Sequence, residues 1–340
     1  MKVLVTGGTG YIGSHTVVEL QQKGFEVVIA DSLVNSYAET VDRIAKITGK
    51  RPIFEHIDLT EKHHVEQMFA KHRDIRHIIH FAALKAVGES VQYPLKYYYN
   101  NINSLINILE AMQNYEVQTL VFSSSCTVYG QPEILPVTEK SPIQPACSPY
   151  GHTKQICEEI IVKTLDISSF NAVLLRYFNP VGAHPSALIG EFPLGAPNNL
   201  APCITQFAIG KRLELKVFGN DYNTPDGTAI RDYIHVVDLA QSHVAALERF
   251  INKKNEKQLE IYNIGTGNGF SVMEIIRSFE KVSGKKLNYQ IVDRRAGDIE
   301  KIWADTSLVN KELQWKAERG IDEMMLSAWK WELMLMNNEQ

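Results

Sequence analysis

The chain is poor in everything that would tie it to a membrane, a disulfide framework or a polyanion. Its four cysteines, Cys126, Cys147, Cys157 and Cys203, form no C-x-x-C pair and stand at no zinc spacing with histidine, so no metal ligand set is expected. Scattered reduced thiols in a cytoplasmic protein are the reading they support. No apolar stretch approaches the ~20 residues that span a bilayer, and Met1-Lys2 runs into an apolar strand pattern without a signal-peptide layout. There is no basic block and the net charge is −4, which argues against nucleic acid and anionic membranes as partners. Internal repeats and low-complexity segments are absent too. What remains, 44% hydrophobic and 22% charged over 340 residues, is an ordinary globular composition with room for one large or two moderate domains. A nucleotide ligand is still compatible, because a few local arginines bind phosphates even in an acidic protein.

The first half alternates strand and helix patterns. Strands are expected at 3–6, 25–30, 52–56, 77–82, 119–123 and 172–178, and helices at 11–22, 62–71, 95–114 and 150–165. Continuous apolar strands between helices predict a doubly wound parallel sheet covered on both faces, an α/β architecture. Residues 131–149 are rich in Pro and Ser and read as a loop. Beyond Asn179 the Pro and Gly density rises, as in long loops that carry binding function, and shorter elements follow, with helices at 236–250 and 272–282.

Thr6-Gly7-Gly8-Thr9-Gly10-Tyr11-Ile12-Gly13 follows the first strand and opens the first helix. Gly8, Gly10 and Gly13 satisfy G-x-G-x-x-G; Gly7, Gly10 and Gly13 satisfy G-x-x-G-x-x-G. Such glycines let the backbone turn sharply and approach a pyrophosphate at a helix N-terminus. Asp31 ends the second strand about 20 residues on, where a carboxylate accepts hydrogen bonds from an adenosine ribose and repels a 2′-phosphate; NAD is expected over NADP. Asp58 after the third strand is placed to reach the adenine or to cap the next helix.

Tyr150-Gly151-His152-Thr153-Lys154 carries a tyrosine and a lysine four apart, hence on one helical face. A cation there favours the phenolate and lowers the phenol's pKa from about 10, making it a usable base. Ser123-Ser124-Ser125 end the fifth strand, where ligands of doubly wound sheets lie. Y-x-x-x-K is common by chance; with the glycine fingerprint and the serines upstream it points to oxidation of an alcohol by hydride transfer.

The longer strings are more specific: FAALKAVGES (81–90), SSSCTVYG (123–130), SPYGHTK (148–154), LRYFNPVGAHPS (175–186) and FGND (218–221), with residues 6–15, 227–236 and 294–298. Nearly end to end, this pattern resembles the extended short-chain dehydrogenase/reductase family and, within it, the UDP-glucose 4-epimerases. The resemblance implies a Rossmann-type NAD-binding domain over 1–178, with segments of about 231–265 returning to it, and a smaller C-terminal α+β domain for the UDP-sugar over 179–340. It implies Tyr150 as the base and acid, Lys154 as its electrostatic partner and ribose ligand, and Ser125 as the bridge to the sugar hydroxyl. Cofactor-binding positions are Gly7, Gly10, Tyr11, Ile12 and Gly13, then Asp31, Ser32, Leu33, Val34, Asn35 and Ser36. Asp58, Leu59, Phe81, Ala82, Ala83, Leu84, Lys85, Asn100 and Phe178 complete them, with Ser125, Tyr150 and Lys154 shared. Asn179, Asn199, Leu200, Phe218, Arg231, Arg295 and Asp298 match UDP-sugar positions, beside Ser125 and Tyr150. Two arginines suit a diphosphate and Phe218 a uracil ring. A homodimer through the helices at 95–114 and 150–165 is implied as well, the alternative being that their apolar faces pack on the sheet of the same chain.

Four positions depart from the family pattern. His152 replaces Lys or Arg, off the Tyr–Lys face; Cys126 replaces a common alanine; Ala83 stands where glycine is usual; Ile302 stands where the family often has Tyr or a small residue. Isoleucine predicts room beside the sugar's 2-substituent, hence turnover of UDP-N-acetyl sugars besides UDP-glucose and UDP-galactose. Three rivals share the fold. A sugar-nucleotide 4,6-dehydratase needs a carboxylate pair after the serine, where this chain has Cys126-Thr127. A UDP-glucuronate 4-epimerase or decarboxylase fits the NPVGAHPS and FGND strings less well. A non-catalytic NAD-binding sensor has no need of Tyr150 and Lys154.

Overall fold

Each apolar, β-branched run of the first half becomes a strand, and each amphipathic run between them a helix that lays its apolar stripe on the resulting sheet. The computed structural model describes residues 1–295 and 298–338; Ala296 and Gly297, inside the 294–298 string, lie outside them. In chain order the elements are β1 (Lys2–Thr6), α1 (Tyr11–Gln22), β2 (Glu26–Asp31), α2 (Glu39–Thr48), β3 (Ile53–His56), α3 (Lys62–Lys71), β4 (Ile75–His80), α4 (Val87–Gln92), α5 (Pro94–Asn114), β5 (Thr119–Ser123), α6 (Pro149–Leu165) and β6 (Asn171–Tyr177). There follow β7 (Asn179–Val181), α7 (Leu200–Ala208), β8 (Lys216–Phe218), β9 (Ile230–His235), α8 (Val236–Ile251), β10 (Leu259–Ile264), β11 (Gly269–Ser271), α9 (Val272–Ser283), β12 (Gln290–Val292), β13 (Lys301–Ile302), α10 (Ser307–Glu312) and α11 (Ile321–Asn338).

Seven parallel strands form the main sheet in the order β10-β6-β5-β4-β1-β2-β3. Alternation along β1 divides its side chains between two cores: Val3 and Val5 meet Val17, Val18 and Leu20 of α1 and Leu239 of α8, while Leu4 meets Val65 of α3, Ile108 of α5 and Ile161 of α6. The order reverses between β1 and β4, so the loops leaving these strands diverge and open a crevice at their carboxyl ends, the usual ligand position in such sheets. β4 starts and ends two residues earlier than the apolar run 77–82 predicts. Its register pairs His80 with Thr6, the last residue of β1, so Phe81 and Ala82 already belong to the crevice.

The later elements form a second layer over that crevice. β7, β11 and β13 all pair with β9, and β8 pairs with β12. A third core of Ile204, Tyr233, Ile275, Phe279, Met325 and Trp329 fixes α7, α9 and α11 to these strands. Residues 131–148 are a loop, one residue shorter than the sequence pattern predicts because Pro149 opens α6, and the loop touches the second layer through a bridge between Val137 and Ala304. Among the described residues no helix is long and apolar enough to cross a membrane.

Candidate active site

The glycine loop is built for close backbone approach. Gly7 has φ +68°, and a Cβ there would lie 2.8 Å from the Ala82 nitrogen; a Cβ on Gly13 would lie 2.2 Å from the Gly7 carbonyl. No side chain caps α1, so its first-turn N–H groups, including those of Tyr11 and Ile12, stay free to meet an anion. Asp31 is buried at the end of β2, where its carboxylate accepts from the Thr9 N–H at 3.1 Å, the Leu33 N–H at 2.9 Å and the Ser36 hydroxyl at 3.1 Å. Leu33 folds back on it with φ 58°. Beside them lies a cleft of about 430 Å³ lined by Ser32, Val34, His56, Ile57, Asp58, His64 and Asn100. These residues fit an adenosine diphosphate moiety: a cradle that only glycine leaves open, an acid at the ribose position and an adjacent cleft.

Their neighbours take varied places in the structure. Asp58 does not cap α3, whose N-cap is Glu61; it accepts from the Thr60 N–H and hydroxyl in a local turn. Leu59 buries its side chain in the core under the cleft, and Asn35 is exposed. Leu84 is pinned by Asn101, which accepts from its N–H at 2.8 Å and donates to its carbonyl at 3.1 Å and to Thr153 at 3.0 Å. Sequence reasoning passed over Asn101; the Asn100-Asn101 pair, one of whose members falls on the buried face of the amphipathic α5, was the available signal. Phe81 packs on His243 at 4.7 Å between centroids, Lys85 lies 5.8 Å from the Tyr11 ring, and Ala82 joins the core. Ala83 lies in the same non-helical segment.

Ser125, Tyr150 and Lys154 converge at the end of β5. Ser148 caps α6 by accepting from the Gly151 N–H, with Pro149 at the first helical position, which fixes the helix start and so the direction of Tyr150. Tyr150 packs against Leu84 and Tyr97. The Ser125 hydroxyl neighbours its phenol and accepts from the Thr127 N–H at 3.2 Å. Lys154 Nζ donates to the Ser123 carbonyl at 2.7 Å and lies 4.8 Å from the Phe122 ring centroid. Burial pushes the phenol well above its ordinary value, with Tyr177 adding to the rise and Ser125 opposing it. Burial also pulls the ammonium down to about 8. The expectation that Lys154 lowers the phenol is thereby corrected: burial dominates, and the ammonium, turned toward the Ser123 carbonyl, is not among the main influences on Tyr150. Beneath them Ser124 donates to Glu158 at 2.5 Å, and Arg176 forks onto the same carboxylate at 3.0 and 2.6 Å. His152 turns away to pair with Tyr98 at 2.8 Å, as its place off the Tyr–Lys face predicts.

The second layer supplies a cationic wall. Arg231 Nη2 lies 3.7 Å from Asp298, and Arg295 donates to both Asp298 oxygens at 3.2 and 2.8 Å. The Arg295 guanidinium stands 5.7 Å from the centroid of Phe218, which is 39% exposed and so is not a core residue. Asn199 and Leu200 lie at the start of α7, and Asn179 opens β7 beside Tyr233. Phe178 is buried with Val128, Tyr129, Ala304 and Ile302, Cys126 and Ile299 packing alongside. Among the described residues no group of three or more His, Cys, Asp or Glu side chains could hold a metal ion.

The family model described as GDP-mannose 4,6 dehydratase matches residues 4–327. The chain is 52% identical over 339 residues to the UDP-glucose 4-epimerase of Bacillus subtilis strain 168, covering 99% of this chain and 98% of that one. The chain belongs to the UDP-glucose 4-epimerase family. Two solved structures of epimerases superpose with a TM-score of 0.95, each covering 99% of both chains. One is the Stenotrophomonas maltophila enzyme with bound NAD and formylated UDP-arabinopyranose, at 47% identity; the other is the Bifidobacterium longum enzyme in complex with NAD+ and UDP, at 45%. Dehydration is named only for the broader family model; in this epimerase-family chain a half-buried thiol and a hydroxyl, Cys126 and Thr127, follow Ser125.

Proposed function

We propose that the chain is an NAD-dependent UDP-hexose 4-epimerase that interconverts UDP-glucose and UDP-galactose through a transient 4-keto sugar. The observation that carries this reading is the meeting of Ser125, Tyr150 and Lys154 with the glycine cradle on one side and the Arg231–Arg295 wall on the other. Residues 1–178, with about 231–265 returning, hold NAD, and 179–340 supply most UDP-sugar contacts. Gly7, Gly10, Tyr11, Ile12 and Gly13 hold the dinucleotide's pyrophosphate, Asp31 to Ser36 its adenosine, and Phe81 to Lys85, Asn100 and Phe178 the remainder. NAD, when bound, supplies the hydride acceptor and donor, so the 4-carbinol is oxidised and re-reduced with no net redox change. Tyr150 takes the proton of the sugar's 4-hydroxyl and returns it. Ser125 bridges hydroxyl and phenol, and Lys154 holds positive charge beneath them. Arg231 and Arg295 grip the diphosphate with forked, charge-assisted bonds, Phe218 packs on the uracil, and Asn179, Asn199, Leu200 and Asp298 complete the nucleotide grip. A firm hold on UDP with a loosely held sugar lets the ketone present either face. The rival uronate and sensor readings find no matching observation.

The apolar outer stripe of α5 supports a homodimer. Its inner face, with Leu105, Ile108 and Leu109, packs on the sheet, yet Leu95 is 81% and Tyr99 59% exposed, four residues apart and on one stripe with the exposed Ile106. The thiol pattern is in keeping with a cytoplasmic protein. Ile302 is paired in register with Arg231 and buried with Phe178, Cys126 packing alongside, and a residue smaller than tyrosine at that place favours acceptance of UDP-N-acetylglucosamine and UDP-N-acetylgalactosamine.

The test is to purify the protein, release and quantify its dinucleotide, and follow UDP-galactose without added NAD. Turnover is expected, and Tyr150→Phe should lower it by about 10²–10⁴-fold. Bound NAD without isomerisation of any UDP-hexose, or an unimpaired Tyr150→Phe, would overturn the proposal. UDP-N-acetylgalactosamine left unchanged by an active preparation would reject the Ile302 reading alone.

A further inference from the structure

Tyr150, Lys154 and Glu158 are spaced four apart on α6 and run along one helical face. They meet three consecutive serines at the end of β5. Ser125 neighbours the Tyr150 phenol, Ser123 offers its carbonyl to Lys154, and Ser124, fully buried, donates its hydroxyl to Glu158 at 2.5 Å. Side chains along an extended strand alternate between faces, so an unbroken strand would not send all three to one helix. The break is visible: the ladder with β6 ends at Ser123, and the Ser124 N–H turns back to the Phe122 carbonyl at 3.0 Å. Beyond that point the sheet no longer fixes the place of Ser125.

A buried ion pair takes over. Arg176 of β6 donates to the Glu158 carboxylate from Nε at 3.0 Å and from Nη2 at 2.6 Å, one bond to each oxygen. Its Nη1 donates to the Tyr129 hydroxyl at 3.1 Å, and that hydroxyl donates in turn to Asn263 at 2.6 Å. Tyr129 closes the single 3-10 turn Cys126–Tyr129, which Ser125 opens by accepting from the Thr127 N–H. The pair thus holds the chain on both sides of Ser125, at Ser124 before it and at Tyr129 after it. Because Glu158 and Tyr150 belong to one helix, serine and phenol share one rigid frame. Hydrocarbon of similar volume in place of such a pair often serves stability as well or better, so folding alone gives no reason for charge here.

We propose that Ser124 and Glu158 are positioning residues: the bond between them, with Arg176 holding the carboxylate, sets the Ser125 hydroxyl against the Tyr150 phenol. This rests on the alcohol-oxidising site proposed above. The variant that isolates the bond is Ser124→Ala, which leaves the Glu158–Arg176 pair whole. In the NAD-loaded enzyme it should lower kcat for UDP-galactose by about 5- to 10-fold, the worth of one hydrogen bond expressed as misplacement of the reacting group. KM, calorimetric UDP affinity and retained dinucleotide should stay at the parent's level. In a Ser125→Ala background, where no hydroxyl is left to place, Ser124→Ala should have no further effect on kcat. An unchanged kcat, an equal fall in both backgrounds, or a loss of UDP affinity as large as the loss of kcat would overturn the inference. Should Ser124→Ala not fold, Glu158→Leu combined with Arg176→Met puts hydrocarbon in place of the pair and should lower kcat at least as far; a parent-level kcat overturns the inference. A parent enzyme that isomerises no UDP-hexose would refute the reading of the site instead. Crystal structures then decide the positioning: the Ser125 hydroxyl should shift from the phenol in Ser124→Ala, and an unmoved Ser125 overturns it.

Discussion

Acid should destabilise this protein through its buried histidines well before its carboxylates protonate. His15 and His243 each use Nδ1 on a helix carbonyl, those of Tyr11 at 2.7 Å and Leu239 at 2.8 Å, and leave Nε2 buried without a partner. A second proton on either ring would have nothing to bond. His80 faces Thr6 at 2.8 Å with the charge of Lys154 nearby. His235 accepts from the Val237 N–H at 3.1 Å and lies near Arg319, while His77 has a bare Nδ1 and Arg76 beside it. Burial, the main cause in each, lowers His15, His80 and His235 to about 3 and His77 and His243 to about 4. The unfolded chain titrates near 6.5, so below that pH it binds more protons than the native state, and stability present above 6.5 is lost as the pH falls toward 4. One pH unit below 6.5, each ring costs about 1.4 kcal/mol. The five together cost about 7 kcal/mol, within the roughly 5–15 kcal/mol that holds a domain folded. Glu19, Glu139 and Asp232, raised mainly by burial, act in the opposite direction and offset part of the sum, while His184, lowered by burial, adds to it. The assay is urea unfolding followed by far-UV circular dichroism between about pH 7.5 and about pH 5.5 at fixed ionic strength. A midpoint that stays level across that window would refute the reasoning.

Three further outcomes are expected. Gly13→Ala, whose Cβ would lie 2.2 Å from the Gly7 carbonyl, should yield folded protein with little retained dinucleotide; a full complement after acid release would remove Gly13 from the cradle. Arg231→Met should weaken UDP binding by about 10- to 100-fold, the worth of charge-assisted bonds, and a calorimetric change under about 3-fold would contradict the role given to the cationic wall. Ser125→Ala should lower kcat by about 10-fold or more with UDP affinity unchanged, and equal losses in both would make Ser125 a nucleotide ligand instead.

The fold was legible wherever an apolar run and its flanking turn agreed, as at β1 and the glycine loop, where one short stretch predicts a strand, a turn and a helix start. It was less legible where register decides: the apolar run that becomes β4 extends through Ala82, and only pairing with β1 shows that the last two residues leave the sheet. The second layer was opaque for a similar reason. β7, β8, β11, β12 and β13 are two or three residues long, too short for a period-two pattern, and they exist because β9 or another short strand offers a partner. In the site, residues with a chemical signature could be named from sequence: glycines, the acid at a strand end, a tyrosine with its lysine, arginines. Asn101 was harder to name, because a hydrogen bond across the fold leaves only a faint local trace, here the Asn100-Asn101 pair; it matters through what the topology sets beside it.

The Tyr150–Lys154 pair marks where that distinction reaches the chemistry. Spacing of four guarantees a shared helical face but says nothing of what covers the face. Here it is covered by Leu84, Tyr97, Phe122 and the end of β5, and the exclusion of water has one consequence with opposite signs: the phenol holds its proton more tightly and the ammonium less so. Burial thus raises the cost of forming the phenolate, and the positive charge that a bound NAD+ would bring beside Tyr150 would offset part of that cost.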